Sequence, residues 1–118
     1  MVIVPGHEET LAMSDKADFY VLYRWRLHAG MEQQFIDAWA KMTKLIKQQR
    51  GGLGSRLHHR DDGWWVAYGA WSNKEHWAES VDLGSPDAEL ARLMNEAIAE
   101  RQPPEELLPV KDAIADNQ

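Results

Sequence analysis

Trp65, Ala67, Gly69 and Trp71 alternate through the stretch WWVAYGAW, so a strand built from it carries all of them on one face. Two indoles flanking two very small residues would make the floor of a slot for a flat apolar ligand, although spacing alone favours a helix brought close to a sheet. His58, on the preceding segment, could serve such a slot as a base, because an unperturbed imidazole titrates near pH ~6.5. Arg24, Arg26, Arg56 and Arg60 could steady an oxyanion or simply be solvated. The histidines do not assemble into a metal set: His58 and His59 are adjacent on a strand and point to opposite faces, while His7, His28 and His76 stand apart. Phosphate loops, dinucleotide fingerprints and nucleophile elbows are absent from the sequence. Trp25, Trp39 and Trp77 read first as core residues.

Composition narrows the classes further. A chain of 118 residues with 44% hydrophobic content fits one domain with its own core. The absence of cysteine excludes disulfides, thiolate metal sites and a cysteine nucleophile. A net charge of −6 lacks the basic stripe of a nucleic-acid or anionic-membrane binder. No run reaches the roughly 18 apolar residues of a membrane span, and the start MVIVPGHEET resembles no leader. A soluble, cytoplasmic protein without nucleic-acid or membrane partners is expected.

The elements that must position these residues follow from periodicity. From Phe19 to Leu27 the odd residues Phe19, Val21, Tyr23, Trp25 and Leu27 share one strand face. Met31, Phe35, Trp39, Met42 and Ile46 then form a helical stripe, closed by Gly51 and Gly52. Leu53 to Arg60 and the aromatic strand after Gly63 make a hairpin around Asp61, Asp62 and Gly63. That aromatic strand is apolar on both faces, which predicts a second covering layer and self-association. Ser72 with Glu75 predicts a capping box for a short helix carrying Trp77. Ser85 as N-cap and Pro86 predict a further helix to about Glu100, and Leu107, Leu108, Val110 and Ile114 predict a closing edge strand. The expected organisation is a flexible N-terminal extension over 1–17, with Met13 as a candidate start, one domain over 18–115 and a tail over 116–118. The fold class is α+β, a split βαβ with an antiparallel sheet.

The segments YRWRLHAGMEQQFIDAW and GGLGSRLHHRDDGWWVAYGAWSNKEHW together resemble the antibiotic biosynthesis monooxygenase (ABM) domain family, over roughly residues 19–81. The resemblance implies a ferredoxin-like fold, two chains joined as a dimeric α+β barrel, and oxygenation of polycyclic phenols or quinols by O2 with no cofactor. In such chemistry the protein binds a flat aromatic, favours its anion and excludes water. On that resemblance Trp71 takes the place of a pocket tryptophan, His58 of a strand histidine that would accept the phenolic proton, and Arg92 of a pocket arginine that would stabilise the anion. Trp77 stands where one member has a tyrosine, and Ala67 where it has a pocket asparagine. Haem-degrading relatives have an asparagine where this chain has Tyr23 and a haem-ligating histidine near Leu90, which disfavours haem. The expectation is a homodimeric, cofactor-independent monooxygenase for a small planar phenol or quinol, with His58 and Arg92 catalytic. Trp71, Trp77, Trp65, Ala67, Gly69 and Tyr23 would bind substrate, with no metal. The alternative is a dimer that binds an aromatic metabolite without turning it over.

Overall fold

The computed structural model describes residues 16–113. Met13, most of the expected N-terminal extension, Ile114 and the 116–118 tail lie outside the described residues. The chain runs through β1 (Phe19–Leu27), α1 (Glu32–Gln49), β2 (Gly52–His59), β3 (Trp65–Trp71), α2 (Lys74–Leu83), α3 (Ala88–Ala97), β4 (Ile98–Arg101) and β5 (Glu105–Leu107). Strand order is β2-β3-β1-β4, with β5 also paired to β1, and every pairing is antiparallel. This is the expected split βαβ arrangement. The sheet of the single chain is open, with β2 at one edge.

Alternation decides which side chains meet the helices. Trp25 pairs with Trp65, Tyr23 with Ala67, Val21 with Gly69 and Phe19 with Trp71, so the odd residues of β1 and β3 share the helix-side face. Phe35, at the centre of the α1 stripe, is fully buried against Trp25, Ala67 and Ala97. The Trp25 and Phe35 rings meet edge to face at 5.0 Å. A second cluster gathers Phe19, Val21 and Trp71, with Ile46 and Trp77 against it. The even face carries Tyr20, Leu22, Val66 and Tyr68, with the Tyr20 and Tyr68 rings 5.8 Å apart.

Local structure departs from expectation at four places. The cap of α2 is Asn73, whose side-chain oxygen accepts from His76 N at 2.9 Å. Ser72 Oγ instead bonds His76 Nδ1 at 2.6 Å, so the Ser72/Glu75 capping box does not form. Asp87, not Ser85, caps α3 by accepting from Leu90 N at 2.8 Å; Ser85 Oγ is used on the Asp87 backbone. Helix α3 stops at Ala97, because Ile98 turns extended (φ −86°, ψ 122°) and continues as β4 beside β1. The bonds His28 N to Ala97 O (2.9 Å) and Gln102 N to Arg24 O (3.1 Å) flank that strand. The expected strand over Leu107 to Ile114 is reduced to β5, which ends at Leu107. Pro109 has no N–H to extend a ladder, and Leu108 and Val110 are exposed.

Candidate functional site

Gly69 interrupts the aromatic face of β3, and what lies above it distinguishes a slot from a helix contact. A Cβ placed on Gly69 would meet Trp71 Nε1 at 3.7 Å, Ser55 Oγ at 3.9 Å and Gly54 O at 4.0 Å, all of them sheet atoms. No helix atom comes that near, so the glycine opens onto space. That space is a cavity of about 190 Å³ between α1 and the helix-side face of the sheet. Gly69, Trp71 and Tyr23 border it from the sheet, and Trp39, Met42 and Ile46 from α1. Ser55 of β2 and Met94 of α3 close its ends. A more open chamber of about 310 Å³ adjoins it, sharing Tyr23, Trp71 and Met94 and adding Trp77 and Arg101.

Gly52 shapes the far wall in a different way. A Cβ there would fall 2.7 Å from Ile46 Cγ2, so only glycine lets α1 approach β2 this closely. The register shift between Gly52 and Gly54 in the β2–β3 pairing places Ser55 opposite Gly69. Ser55 Oγ donates to the Tyr68 carbonyl at 2.8 Å, which satisfies its proton.

Tyr23 brings a phenolic hydroxyl to a hollow whose inner chamber is mostly apolar, with Thr43 and Ser55 also on its lining. It is the titratable side chain bordering the inner chamber among the described residues. Its hydroxyl accepts from Trp77 Nε1 at 3.0 Å, and its ring stacks on Trp25 with planes 6° apart. Burial pushes its pKa above the ordinary tyrosine value, and the hydrogen bond from Trp77 offsets this only in part. Tyr23 is therefore a neutral O–H group at physiological pH.

Of the residues singled out from sequence, Trp71, Gly69, Tyr23 and Trp77 come together around this hollow. Ala67 and Trp65 share their face but not the cavity. Ala67 is fully buried beside Trp25, Phe35 and Ala97, and Trp65 packs on that cluster and on the His59 ring at 4.7 Å. His58 is across the sheet. Its partner in the ladder is Val66, and its ring stacks on Tyr68 at 5.8 Å, so the sheet separates it from the cavity. Arg92 is exposed on the outer side of α3, held by Glu89 at 2.7 Å and Glu96 at 3.6 Å. The base role expected of His58 and the anion role expected of Arg92 are thus not available at this hollow. Three of the four strand arginines are engaged elsewhere: Arg24 pairs with Glu105 at 2.8 Å, Arg60 with Asp62 at 2.6 Å, and Arg26 covers the Trp64 ring at 4.6 Å, while Arg56 does not border the hollow. Trp25 and Trp39, read first as core, border the cavity as well. Among the described residues no three His, Asp or Glu side chains converge as a metal site, and no helix is long and apolar enough to cross a membrane.

The same arrangement of sheet and helices recurs in solved structures. SnoaB, a cofactor-independent oxygenase from Streptomyces nogalater, superposes with a TM-score of 0.65 at 13% identity, covering 82% of this chain and 97% of its own. Rv0793 from Mycobacterium tuberculosis gives 0.63 at 16% identity, covering 82% of this chain and 99% of its own. A conserved protein from Methanosarcina mazei Go1 gives 0.62 at 9% identity, covering 82% and 97%. At such identities these likenesses speak for the fold. No curated protein matches the chain. The sequence profile of the antibiotic biosynthesis monooxygenase family matches residues 18–85, from β1 through α2 and more than half the chain, and with the fold in agreement the protein belongs to that family.

Proposed function

We propose that the protein is a cofactor-independent monooxygenase that binds a small planar phenol or quinol in the hollow beneath α1. The observation that carries this is the open space above Gly69, walled by Trp71, Trp39 and Tyr23. Apolar walls hold the ring, the indoles offer stacking surfaces, and exclusion of water favours a single oxygenation over side reactions. For a phenol oxidised at its para carbon the step balances without a further reductant. The phenolate gives one electron to O2, and the resulting radical pair joins as a C–O–O bond. The peroxide takes a proton, and loss of water with the hydrogen of that carbon leaves a quinone. One oxygen atom stays on the substrate and the other leaves as water. SnoaB, which is similar in fold, is a cofactor-independent oxygenase.

The reading places Trp71, Gly69, Tyr23 and Trp77 at the substrate. It assigns the even face of the sheet, with Tyr20, Leu22 and Tyr68, and the exposed Leu107, Leu108 and Val110 to a second copy of the chain. Light scattering is then expected to give twice the 13.5 kDa of one chain. Oxygen uptake with a panel of hydroquinones and anthrones in metal-free buffer tests the activity. Substrate-dependent uptake, with a product that has gained one oxygen and lost two hydrogens, is expected, and Trp71→Ala is expected to abolish it. Uptake at the blank rate across the panel would defeat the enzyme reading. A second reading, binding without turnover, is favoured by the lack of a carboxylate or imidazole in the inner chamber among the described residues. Quenching of tryptophan fluorescence by a phenol that is recovered unchanged would decide for it.

A further inference from the structure

Among the described residues no carboxylate or imidazole borders this hollow, so their contribution to ionisation comes from a donor. From α1 the inner chamber receives Trp39, Met42, Thr43 and Ile46, none of them charged. Trp77 and Ser80 of α2 and Asn95 of α3 border the outer chamber. The cation in reach is Arg101 of β4 at that outer rim, and its guanidinium donates to Asn95 Oδ1 at 2.7 Å. Among the described residues, Tyr23 alone borders both chambers with a dissociable proton.

We propose that the Tyr23 hydroxyl, fixed by the indole N–H of Trp77, donates a hydrogen bond to the oxygen of the bound substrate and so favours that substrate as its phenolate. This rests on the phenol-binding reading above and gives it a polar anchor. Trp77 Nε1 fills one acceptor position of the Tyr23 oxygen at 3.0 Å, which leaves the O–H to point elsewhere. No acceptor for that O–H is found among the described residues. A hydroxyl that already accepts is polarised into a stronger donor. Because burial raises the pKa of Tyr23, the tyrosine keeps its proton while a more acidic phenol gives its own to solvent. The substrate class narrows accordingly to phenols, hydroquinones or enols more acidic than tyrosine itself. An arene without a hydroxyl gains only the apolar contacts.

4-Nitrophenol serves as the probe, since it is colourless as the phenol and yellow as the phenolate. Tryptophan quenching gives its occupancy and absorbance gives its ionised fraction, with no oxygenation needed. The pKa of the bound probe is expected to rise by about one unit in Tyr23→Phe relative to the unaltered protein, a tenfold loss of preference for the anion. Trp77→Phe, which keeps the Tyr23 hydroxyl but removes its donor, is expected to fall between the two. A bound probe whose pKa is the same in all the proteins would overturn the role of Tyr23 while leaving the hollow as a binding site. No quenching of the unaltered protein would overturn both. If Tyr23→Phe does not fold, the comparison with Trp77→Phe decides: a raised pKa upholds the proposal and an unchanged one rejects it. Anion preference lost in the variants, without any oxygen uptake by the unaltered protein, would uphold this inference and reject the oxygenase reading.

Discussion

The Trp77 indole reaches from α2 to the Tyr23 hydroxyl of β1 across 3.0 Å, while its ring lies 5.8 Å from that of Phe19. These contacts hold the first turn of α2 to the sheet, beside the ion pair of Lys74 with Glu106 of β5 at 2.9 Å. No residue of α2 is fully buried, and Val81 and Leu83 at its end are 58% and 68% exposed. A helix with so little buried surface opens locally at low cost, apart from what its anchor provides.

Trp77→Ala is therefore expected to destabilise the chain by about 2 kcal/mol, below the range for a fully buried indole. Hydrogen exchange is the sharper measurement. Amides of α2 are expected to lose protection well before those of β1 and β3, because their local opening becomes nearly free. Uniform loss of protection across the sheet would mean that the anchor is a global rather than a local element.

Gly69→Ala adds a methyl group to the floor of the hollow. Gly69 does not need positive φ, and its new Cβ would make contacts of 3.7 Å or longer, so the fold accommodates it. Stability is expected to stay level or rise by up to about 0.5 kcal/mol, since alanine restricts the unfolded chain. A planar ligand lying on that floor meets the methyl directly, and its affinity is expected to fall about tenfold, equivalent to the cost of modest overpacking. Denaturant unfolding and fluorescence titration on the same protein separate the two effects. Equal loss in both would point to Gly69 as a packing residue.

Much of this fold is legible in the sequence because most elements are long enough to display a period. The β1 alternation and the α1 stripe appear in the structure as read, with Val21 and Phe35 fully buried. Strand β4 is not legible: Ile98 follows Met94 and Ala97 in helical spacing, and a four-residue strand has no room to show a period of its own. The site divides along the same line. Trp71 and Gly69 follow from alternation within one strand, whereas placing His58 requires the pairing between strands. His59 opposite Trp65 puts odd residues with odd, and that register is set by the turn from Arg60 to Trp64, where Gly63 takes φ 91°. Arg92 lies two residues beyond Leu90, which turns it away from the inward Met94 and Ala97.

Ala67 gives a direct check of that geometry. The residue is fully buried among Trp25, Phe35 and Ala97 and does not border the hollow. Ala67→Asn would force an amide into a filled apolar cluster with no partner for its hydrogen bonds. A loss of about 2 to 4 kcal/mol is expected from overpacking and desolvation together, with no gain in phenol binding. Denaturant midpoints measure the first and quenching the second. A stable variant with tighter phenol binding would show that the side chain reaches the ligand after all.

Alkaline titration tests the environment of Tyr23 without any ligand. Burial raises its pKa above the ordinary value, so the folded protein holds the phenolic proton more tightly than the unfolded chain does. The corresponding stability is fully present below the unfolded value of about 10 and is lost as pH rises through the higher folded value. Tyr20, raised by burial and then by Asp112, Tyr68 and Asp18, acts in the same window. Unfolding free energy is thus expected to fall above pH ~10, where the unfolded chain releases protons that the folded one keeps. Tyr23→Phe and Tyr20→Phe are each expected to flatten that fall, and the double variant to flatten it more than either alone. Denaturant unfolding at a series of pH values, with absorbance at the tyrosinate band followed in parallel, measures both quantities. A decline as steep in Tyr23→Phe as in the unaltered chain would mean that its hydroxyl ionises as freely in the fold as in solvent, contrary to its place under α2.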